Sequence, residues 1–355
     1  MKSYDTTPLV LDGRTGEGGG QVLRTALALA CLTGRPVHLE HIRGGRKKGG
    51  LKRQHLACVR AATAISGATV VGAELGSESL RFHPAELRPG TFEFQIGSAG
   101  SAALVLQTVL VPLLFAGGAS QVTVRGGTHN AWAPCADFLE LSFLPQLRAM
   151  GAEVDVRCER VGFFPAGGGA LCATTQPISA GATTAPFELL LRGVEKQSFA
   201  LIRRAHLEAS IADREWDALR RVLHWRQTQR RDLDHPESVG PGNSVHTVLG
   251  FENVTEVTSA FGAKGRGARH VGEEAAKEAR RYLSADAPVG RHLADQLLLP
   301  LAVLGGGMFR TLTPTRHMVT NAEIIAAFLG DIIELDELGR EDFLVTVRGD
   351  YSPSK

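Results

Sequence analysis

The chain has 355 residues, of which 43% are hydrophobic, and its formal net charge is +2. A chain of this size can bury a large core and allows about two domains. The small net charge excludes a strong field around the whole molecule, so any affinity for a polyanion must come from local basic clusters. The most apolar run, residues 103–119, is interrupted by Gln107 and Pro112. We therefore expect no signal-like or membrane-spanning segment and predict a cytoplasmic protein.

Cysteine spacing argues against two further classes of protein. The five cysteines are widely separated and include no C-x-x-C pair. This arrangement fits neither a disulfide framework nor a zinc site, so reduced and buried thiols are expected.

The N-terminal part of the chain predicts a glycine loop followed by helices and strands. The loop at residues 15–20 runs into an apolar helical pattern, and a strand, a second helix and paired strands follow. The segments in order are QVLRTALALACL, PVHLEHI, RQHLACVRAATAIS, ATVVGAEL and SLRFHP.

The same order of elements recurs twice. From Gly97 it gives GSAGSAALVLQTVLVPLLFAGG, QVTVRGG, PCADFLELSFLPQLRAM, AEVDVRC and GFFP. From Gly290 it gives GRHLADQLLLPLAVLGGG, MFRTLTP, HMVTNAEIIAAFLG, IIELDEL and FLVTVRG. We therefore predict an α/β (α+β) fold of three βαβαββ units, packed with their helices inward because a single unit leaves one sheet face uncovered.

Residues 186–281 show a different order of predicted strands and helices. They begin with the strand-like FELLLRG, continue with a charged helix over residues 206–231 and further strands, and close with a helix in GEEAAKEARRYL. This segment is predicted to be a small inserted α/β domain. The predicted division is 1–185 for units one and two, 186–281 for the insertion and 282–355 for unit three.

The glycine loop TGEGGGQVLR raises the first functional question. Glycine-rich turns at a helix start let backbone N–H groups approach a phosphate, although a tight turn that needs positive φ is the plain alternative. The spacing matches neither a P-loop nor a Rossmann fingerprint. Glu17 favours a bound cation, because a carboxylate beside a phosphate is repulsive unless an ion such as Mg²⁺ or Mn²⁺ lies between them.

A basic segment follows the first strand of this unit. The run HIRGGRKKGGLKRQH has no acidic residue and contains Arg43, Arg46, Lys47, Lys48, Lys52 and Arg53. Such a run can be a solvated face, but the interleaved glycine pairs indicate a loop able to wrap a polyphosphate or a nucleic acid backbone. Arginine also grips phosphate oxygens in bidentate fashion.

His317 differs from the other histidines by its position. It lies in TPTRHMVTN at a predicted helix start, where the positive end of the helix keeps an imidazole neutral. A neutral ring nitrogen is a nucleophile, whereas a local hydrogen bond at the helix start is the alternative role.

Seven motifs together resemble the RNA 3′-terminal phosphate cyclase family. They are GRTGEGGGQVLRTALALA, IRGGRKKGGLKRQH, GSAGSAALVLQTVL, GFFPAGGG, GPGNSV, HLADQLLLPLA and TPTRHMVTN, and the similarity extends from about Val10 to the last strand. The resemblance implies a large domain of three units similar to the C-terminal domain of translation initiation factor three, with a small thioredoxin-like domain inserted.

The resemblance also implies roles for individual residues. His317 takes the place of the nucleophile that attacks the α-phosphate of ATP and holds AMP covalently, and Glu17 takes that of the acid that binds Mg²⁺ or Mn²⁺. Phosphate and RNA-end contacts fall at Gln21, Arg43 and Arg46. The nucleotide-binding positions correspond to Gln107, Pro134, His292, Leu293, Ala294, Asp295 and Gln296.

One position departs from the family pattern. Where the family commonly has an aromatic residue that stacks on adenine, this chain has His292, which implies weaker nucleotide affinity or relaxed base choice. Asp295 has two open roles, as a group that orients the imidazole or a metal-bound water and as a helix N-cap.

The implied reaction joins these residues into one scheme. ATP activates an RNA 3′-phosphate by AMP transfer, and the neighbouring 2′-OH then closes a 2′,3′-cyclic phosphate. Two alternatives are a related binding factor in ribosomal RNA maturation, which lacks the histidine, and an enolpyruvyl-type transferase, which has six such units and no insertion.

Overall fold

Three four-stranded sheets share one strand pattern in the computed structural model, which describes residues 7–178 and 186–349. In each of the three, the first strand along the chain pairs in parallel with the second, and the other pairings are antiparallel. The first sheet consists of β1 (Leu9–Asp12), β2 (Val37–Glu40), β3 (Thr69–Val71) and β4 (Leu80–His83), in the order β1-β2-β4-β3.

The other sheets are built from the remaining strands. The second contains β5 (Thr91–Gln95), β6 (Ser120–Gly126), β7 (Val154–Arg160) and β8 (Gly169–Thr175), in the order β5-β6-β8-β7. The third contains β9 (Phe187–Leu189), β14 (Gly306–Thr311), β15 (Ile333–Gly339) and β16 (Asp342–Arg348), in the order β15-β16-β14-β9. The fourth contains β10 (Glu195–Ala205), β11 (Arg230–Asp234), β12 (Gly242–Phe251) and β13 (Thr255–Phe261), in the order β11-β10-β12-β13.

The helices follow the glycine-rich and strand segments. They are α1 (Gln21–Thr33), α2 (Arg53–Ser66), α3 (Ala102–Leu113), α4 (Ala136–Phe138), the π-helix Leu139–Phe143, α5 (Leu144–Ala149), α6 (Ala209–Leu223), α7 (Ala268–Ser284), α8 (Arg291–Val303) and α9 (Arg316–Leu329). The mixed α/β class predicted from the sequence is confirmed. Within the described residues, no helix combines the length and the apolar composition that crossing a bilayer requires.

Helix α1 lies at the centre of the main core. It contacts α2, α3 and α9, while α9 also contacts α8. Its Ala26, Leu27, Leu29 and Ala30 side chains are fully buried, as expected for a helix that is apolar on nearly every face. These contacts bring the starts of helices from distant parts of the chain together.

Helices α6 and α7 cover the fourth sheet and pack against each other. Trp216 of α6 is buried against Ile202, Val245 and Ala276 in a separate core cluster. Part of the β10 to β13 sheet therefore packs in this separate cluster, while Phe199, Leu201 and Val248 belong to the main core cluster.

Three predicted elements differ from the structure. The strand in FELLLRG, placed in the 186–281 insertion, is β9, which pairs in parallel with β14 and so belongs to the third sheet. The chain leaves this sheet after β9 and returns at β14. Local sequence patterns do not indicate pairing between strands so far apart in the chain. GFFP forms a turn with one isolated bridge, and the paired strand is β8. The helix predicted over residues 206–231 ends at Leu223, where His224 adopts φ 57°.

Parts of the predicted division fall outside the described residues. These parts are residues 1–6, 179–185 and 350–355. The predicted boundary after residue 185 lies at the edge of the second of them. All five cysteines lie within the described residues and are free; Cys31, Cys58 and Cys135 are buried, and the other two are partly exposed.

Candidate active site

The glycine loop docks onto the start of α9. Gly16 and Gly18 both adopt positive φ, 60° and 57°, as the tight-turn alternative requires, and a loop with this backbone can also approach a phosphate. A Cβ on Gly16 would lie 1.9 Å from Thr320 Oγ1, and the Glu17 N–H donates to the same oxygen at 3.0 Å. Only glycine fits this close approach. The loop therefore docks Glu17 against Thr320, which lies one helical turn after His317 in α9.

His317 and Glu17 face each other at this junction. His317 is the second residue of α9, whose N-cap Thr315 accepts the Met318 N–H at 3.0 Å. The His317 Nδ1 atom lies 3.8 Å from Glu17 Oε1, and the His317 side chain is 48% exposed while that of Glu17 is 6% exposed. The ring is therefore held beside a nearly buried carboxylate but remains open to a ligand.

The surroundings of His317 favour its neutral form. Partial burial lowers its pKa, Arg24 and Arg46 lower it further, and Glu17 opposes them. An imidazole whose pKa lies below its usual value is mostly unprotonated at neutral pH, and a ring nitrogen then keeps a lone pair available.

Glu17 offers one nearly buried carboxylate to a divalent cation, and Arg46 pairs with one of its oxygens. The Gln21 N–H donates to Glu17 Oε1 at 3.3 Å, and Arg46 donates a hydrogen bond to Oε2. A Cβ on Gly19 would lie 2.4 Å from Oε1, so the missing side chain leaves space beside the carboxylate. One carboxylate supplemented by substrate phosphates suits Mg²⁺ or Mn²⁺, and these residues fit such an ion if Arg46 releases an oxygen.

A narrow cleft opens where α1, α3, α8 and α9 meet. Polar side chains from all four helices line it, namely Gln21, Arg24, Thr25, Gln107, Asp295, Gln296 and Asn321. The structure thus brings together four residues predicted from distant motifs, which are Gln21, Gln107, Asp295 and Gln296.

Hydrogen bonds fix one wall of this cleft. The Gln21 side-chain amide donates to Thr25 Oγ1 at 3.0 Å and to Asn321 Oδ1 at 3.2 Å, while its oxygen accepts from Arg24 at 2.7 Å. Asn321 in turn donates to the carbonyl of Asp295 at 2.7 Å. This network holds the starts of α1, α8 and α9 in one arrangement, which preorganises the polar groups.

A second chain of amides connects α3 to α8. The Gln107 side-chain amide donates to Gln296 Oε1, and the Gln296 amide donates to Asp295 Oδ1. Burial raises the pKa of Asp295 to about 7, against the opposing effects of Gln296 and Arg24. Gly290, rather than Asp295, is the N-cap of α8, so the N-cap alternative for Asp295 is wrong.

Several predicted residues lie elsewhere. Leu293 and Ala294 are fully buried in the main core and do not line the cleft, and Pro134 precedes α4 outside the cleft lining. His292 is exposed, yet packing around it lowers its pKa, with a further contribution from Arg291. The roles predicted for these residues stay predictions.

Arg43 is largely occupied by its own loop. It is buried with φ 59°, and its Nη1 donates to the carbonyls of Lys48 at 2.8 Å and Gly50 at 3.0 Å. Arg46, by contrast, is exposed and reaches Glu17. Of the two arginines predicted to contact phosphate, Arg46 is the one held directly beside the candidate metal ligand.

The sequence motifs miss some residues of the site. Arg24, Thr25 and Asn321 line the cleft at helical spacing from the predicted Gln21 and His317, which is the signal that a helical-wheel projection supplies. His55 approaches Gly20 and Arg24, and burial together with Arg24 lowers its pKa to about 3. No sequence signal separates His55 from the other histidines.

A second cluster of similar residues lies between the second sheet and the fourth. His129 Nε2 is 2.8 Å from Asp137 Oδ2, and His246 Nε2 is 3.4 Å from the same atom. These three residues form a candidate metal-ligand group among the described residues. However, Arg203 pairs with both oxygens of Asp137, at 2.7 Å and 3.0 Å, so a guanidinium already fills the cation position.

The fold and the site define the class: an α/β protein in which a histidine of lowered pKa lies beside a carboxylate, and that carboxylate adjoins an amide-lined cleft. The family model described as RNA 3′-terminal phosphate cyclase matches residues 15–335. The chain therefore belongs to the RNA 3′-terminal phosphate cyclase family.

Relatives are similar over nearly their whole length. A Koribacter versatilis protein named RNA 3′-terminal phosphate cyclase is 46% identical over 329 residues, covering 93% of this chain and 92% of the relative. Proteins of the same name are 44% identical in Salmonella agona, with 93% and 94% covered, and 46% identical in Ralstonia nicotianae, with 90% and 91% covered.

One solved structure shows a much weaker likeness. The enolpyruvyl transferase NikO from Streptomyces tendae matches 48% of this chain and 32% of its own, with 16% identity and a TM-score of 0.29. A likeness at this level carries no argument about fold or function.

Proposed function

We propose that the chain uses ATP to convert an RNA 3′-phosphate into a 2′,3′-cyclic phosphate, releasing AMP and pyrophosphate. The observation that carries the proposal is the placement of His317, which is half-exposed, has a lowered pKa and lies next to Glu17. Glu17 accepts the N–H of Gln21, which lines the cleft that also contains Gln107, Asp295 and Gln296. Family membership and the names of the relatives support the substrate class.

His317 would act as the nucleophile in the first step. Its Nδ1 faces Glu17 Oε1, which favours the tautomer with the proton on Nδ1 and the lone pair on Nε2. Attack by Nε2 on the α-phosphorus of ATP breaks the bond to pyrophosphate, which leaves. The result is AMP bound covalently to the ring.

Two further steps complete the reaction. An oxygen of the RNA 3′-phosphate attacks the same phosphorus and breaks its bond to His317, which regenerates the free ring. The adjacent 2′-OH then attacks the 3′-phosphorus, AMP leaves, and the hydroxyl proton passes to solvent. Activation is needed because an unmodified phosphate monoester has only an oxide or hydroxide to expel.

The charged side chains suit the build-up of negative charge in these steps. Arg24 and Arg46 lie near His317, and both are positioned to attract non-bridging oxygens. Glu17 would hold a Mg²⁺ or Mn²⁺ ion, which when bound supplies additional neutralisation of phosphate charge.

The sheets support a finer domain description. We propose that the first three sheets with their helices are three βαβαββ repeats that pack helices inward, because their strand orders correspond and α1, α3, α8 and α9 meet in one core. The fourth sheet with α6 and α7 would be the thioredoxin-like insertion. A cytoplasmic location is part of the same proposal.

A labelling experiment tests the chemistry. Incubation with ATP labelled at the α-phosphate and Mg²⁺, without RNA, should leave an acid-labile and alkali-stable adduct on the protein. His317→Asn should remove the label, and His270→Asn, at an exposed histidine on α7, should retain it. Label that survives in His317→Asn would contradict the assignment. A binding factor without enzymatic activity would retain no label in any variant.

A further inference from the structure

Trp132 is the most exposed large apolar side chain among the described residues. Its relative exposure is 101%, and its backbone adopts φ 67°. Trp216 of the same chain is 2% exposed. A tryptophan fully in water on a left-handed backbone forgoes burial and adopts a conformation disfavoured for bulky residues, and backbone strain of this kind clusters at ligand-binding sites.

The loop that carries Trp132 is anchored at its base. The N–H groups of Thr128 and His129 both donate to the carbonyl of Gly162, at 2.9 Å and 3.2 Å. The Asn130 side chain donates to the carbonyl of Ala99 at 2.7 Å. The exposed ring therefore projects from a fixed support.

A second exposed aromatic side chain lies in the neighbouring turn. Phe164 is 71% exposed, and a parallel bridge sets Phe163 beside His129. Trp132 comes three residues after His129, and Phe164 comes one residue after Phe163. Because the bridge is parallel, both aromatic residues follow the bridged pair in segments that run the same way. Val239, 62% exposed, adjoins this turn because it lies within 2.3 Å of where a Cβ on Gly168 would be.

This surface is continuous with the basic segment of the candidate active site. Arg53 donates to the carbonyl of Gly97 at 2.9 Å, and the Gln54 side chain accepts the Ser101 N–H at 2.7 Å. The Gly127 carbonyl accepts the Ala102 N–H at 2.8 Å, which joins the Trp132 loop to the same corner. The aromatic loops therefore adjoin the basic run, whose Lys47, Lys48, Lys52 and Arg53 are all exposed.

The charges of this surface indicate the occupant. Residues 43–53, 97–101, 127–134 and 162–168 contain no acidic residue. Exposed aromatic rings next to an uninterrupted basic loop are the elements of a single-stranded nucleic acid surface, on which bases stack and phosphates pair with cations.

We infer that Trp132 and Phe164 form a stacking platform for the nucleobases of single-stranded RNA upstream of its 3′-phosphate. This inference rests on the proposed function for its substrate and adds a contact outside the cleft. The platform binds bases through ring faces and is tolerant of sequence, because every base offers such a face.

Binding of a short oligoribonucleotide tests the platform. The probe is a 3′-phosphorylated 10-mer with a fluorescent 5′ end, compared with a 10-mer that has abasic sites at its last few nucleotides. Trp132→Ala should weaken binding of the intact probe about tenfold, because at least one base loses its aromatic stacking partner. It should leave binding of the abasic probe unchanged, and Trp132→Phe should restore most of the affinity.

One control variant and one further platform variant complete this measurement. Leu338→Ala removes another exposed apolar side chain, 54% exposed on β15, and should not change binding of either probe. Phe164→Ala provides a second test of the platform if Trp132→Ala loses thermal stability. Equal binding of the intact probe by wild type and both platform variants would overturn the inference.

Other outcomes separate the possible partners of the ring. A raised KM for ATP in adduct formation without RNA, with unchanged RNA binding, would assign Trp132 to adenine and overturn the RNA platform. A Trp132-dependent change in oligomeric state would assign it to an interface between copies, with the same consequence. If base-dependent RNA binding is lost in Trp132→Ala but the wild type forms neither adduct nor cyclic phosphate, the proposed function fails and the platform stands.

Discussion

Two clusters in this molecule combine histidine, carboxylate and arginine, yet they differ in access. The open cluster consists of His317, Glu17 and Arg46, with the histidine and arginine side chains both 48% exposed. The closed cluster consists of His129, Asp137, His246 and Arg203, in which both histidines are 0% and Asp137 3% exposed.

The difference lies in how completely the polar atoms are paired. In the closed cluster, His129 also meets Thr128 Oγ1 at 2.8 Å, and His246 meets Ser244 and Ser259, each at 2.8 Å. Burial lowers the pKa of His246 to about 3, so its ring is neutral. Polar groups that are buried and fully hydrogen-bonded stabilise the contact between the second and fourth sheets. The open cluster, by contrast, leaves one face of the His317 imidazole available.

The largest expected effect separates the clusters by chemistry. His317→Asn should lower adduct formation by at least a thousandfold, because the attacking nitrogen is gone, while the free energy of unfolding changes little at this half-exposed site. His129→Asn should do the opposite, losing stability and keeping adduct formation per folded molecule. Labelling and urea unfolding of both variants measure the contrast. Adduct loss in both variants would show that the clusters do not differ in role.

Arg203→Met should produce the next largest effect, on stability. Removing the guanidinium leaves Asp137 as a buried charge without its main partner, which costs about 3–5 kcal/mol. Arg157→Met removes an arginine that is 82% exposed and paired with Asp155, so it should change unfolding little. Urea midpoints that fall equally in both variants would contradict the role of the closed cluster.

Glu17→Gln should lower adduct formation by about 10- to 1000-fold, because it removes the carboxylate expected to hold the metal and to orient His317. The response to metal is the specific readout: the concentration of Mn²⁺ needed for half-maximal rate should rise. Glu93→Gln, at an exposed acid paired with Arg125, is the matched control and should leave this concentration unchanged.

The pH dependence of adduct formation sharpens the contrast further. Because the pKa of His317 is lowered, the ring should stay reactive down to pH values below the usual histidine pKa of about 6.5. Glu17 raises this pKa against the lowering effects, so Glu17→Gln should shift the acidic limb to still lower pH. Single-turnover rates at saturating ATP measure the limb, and a shift toward higher pH would contradict the proposed contact.

A further expected effect concerns stability and pH. Burial raises the pKa of Glu215 to about 8, from an ordinary value of 4.5. The folded state therefore retains a proton that the unfolded state releases. The contribution of this proton to the free energy of unfolding is complete below pH 4.5 and is lost as pH rises through 8. Glu215→Gln should flatten this dependence by roughly 1–4 kcal/mol between pH 5 and 8. The measurement is unfolding at both pH values, with the exposed Glu208→Gln as control.

Local patterns were sufficient for most elements of the fold. The helical period in RQHLACVRAATAIS predicts α2 at its observed bounds, because its apolar positions recur at helical spacing. Local patterns were insufficient for β9, which needs a partner strand more than a hundred residues away. They were also insufficient for β8, because GFFP resembles a strand but forms a turn.

The candidate site shows the same division. The motifs identified Glu17, Gln21, Gln107, Asp295 and Gln296, and the structure gathers the last four around one cleft. They also included Leu293 and Ala294, which are buried in the core and do not line the cleft, because a contiguous stretch of helix presents neighbouring residues to different faces.

The sequence by itself determined which chemical groups are available and which elements carry them, since glycine turns, helix starts and apolar periods are local properties of the chain. Only the tertiary structure decided that His317 is open while His129 is closed. Both are histidines near a carboxylate, and their roles differ because solvent access and hydrogen-bond saturation depend on segments that are distant in sequence and packed together in space.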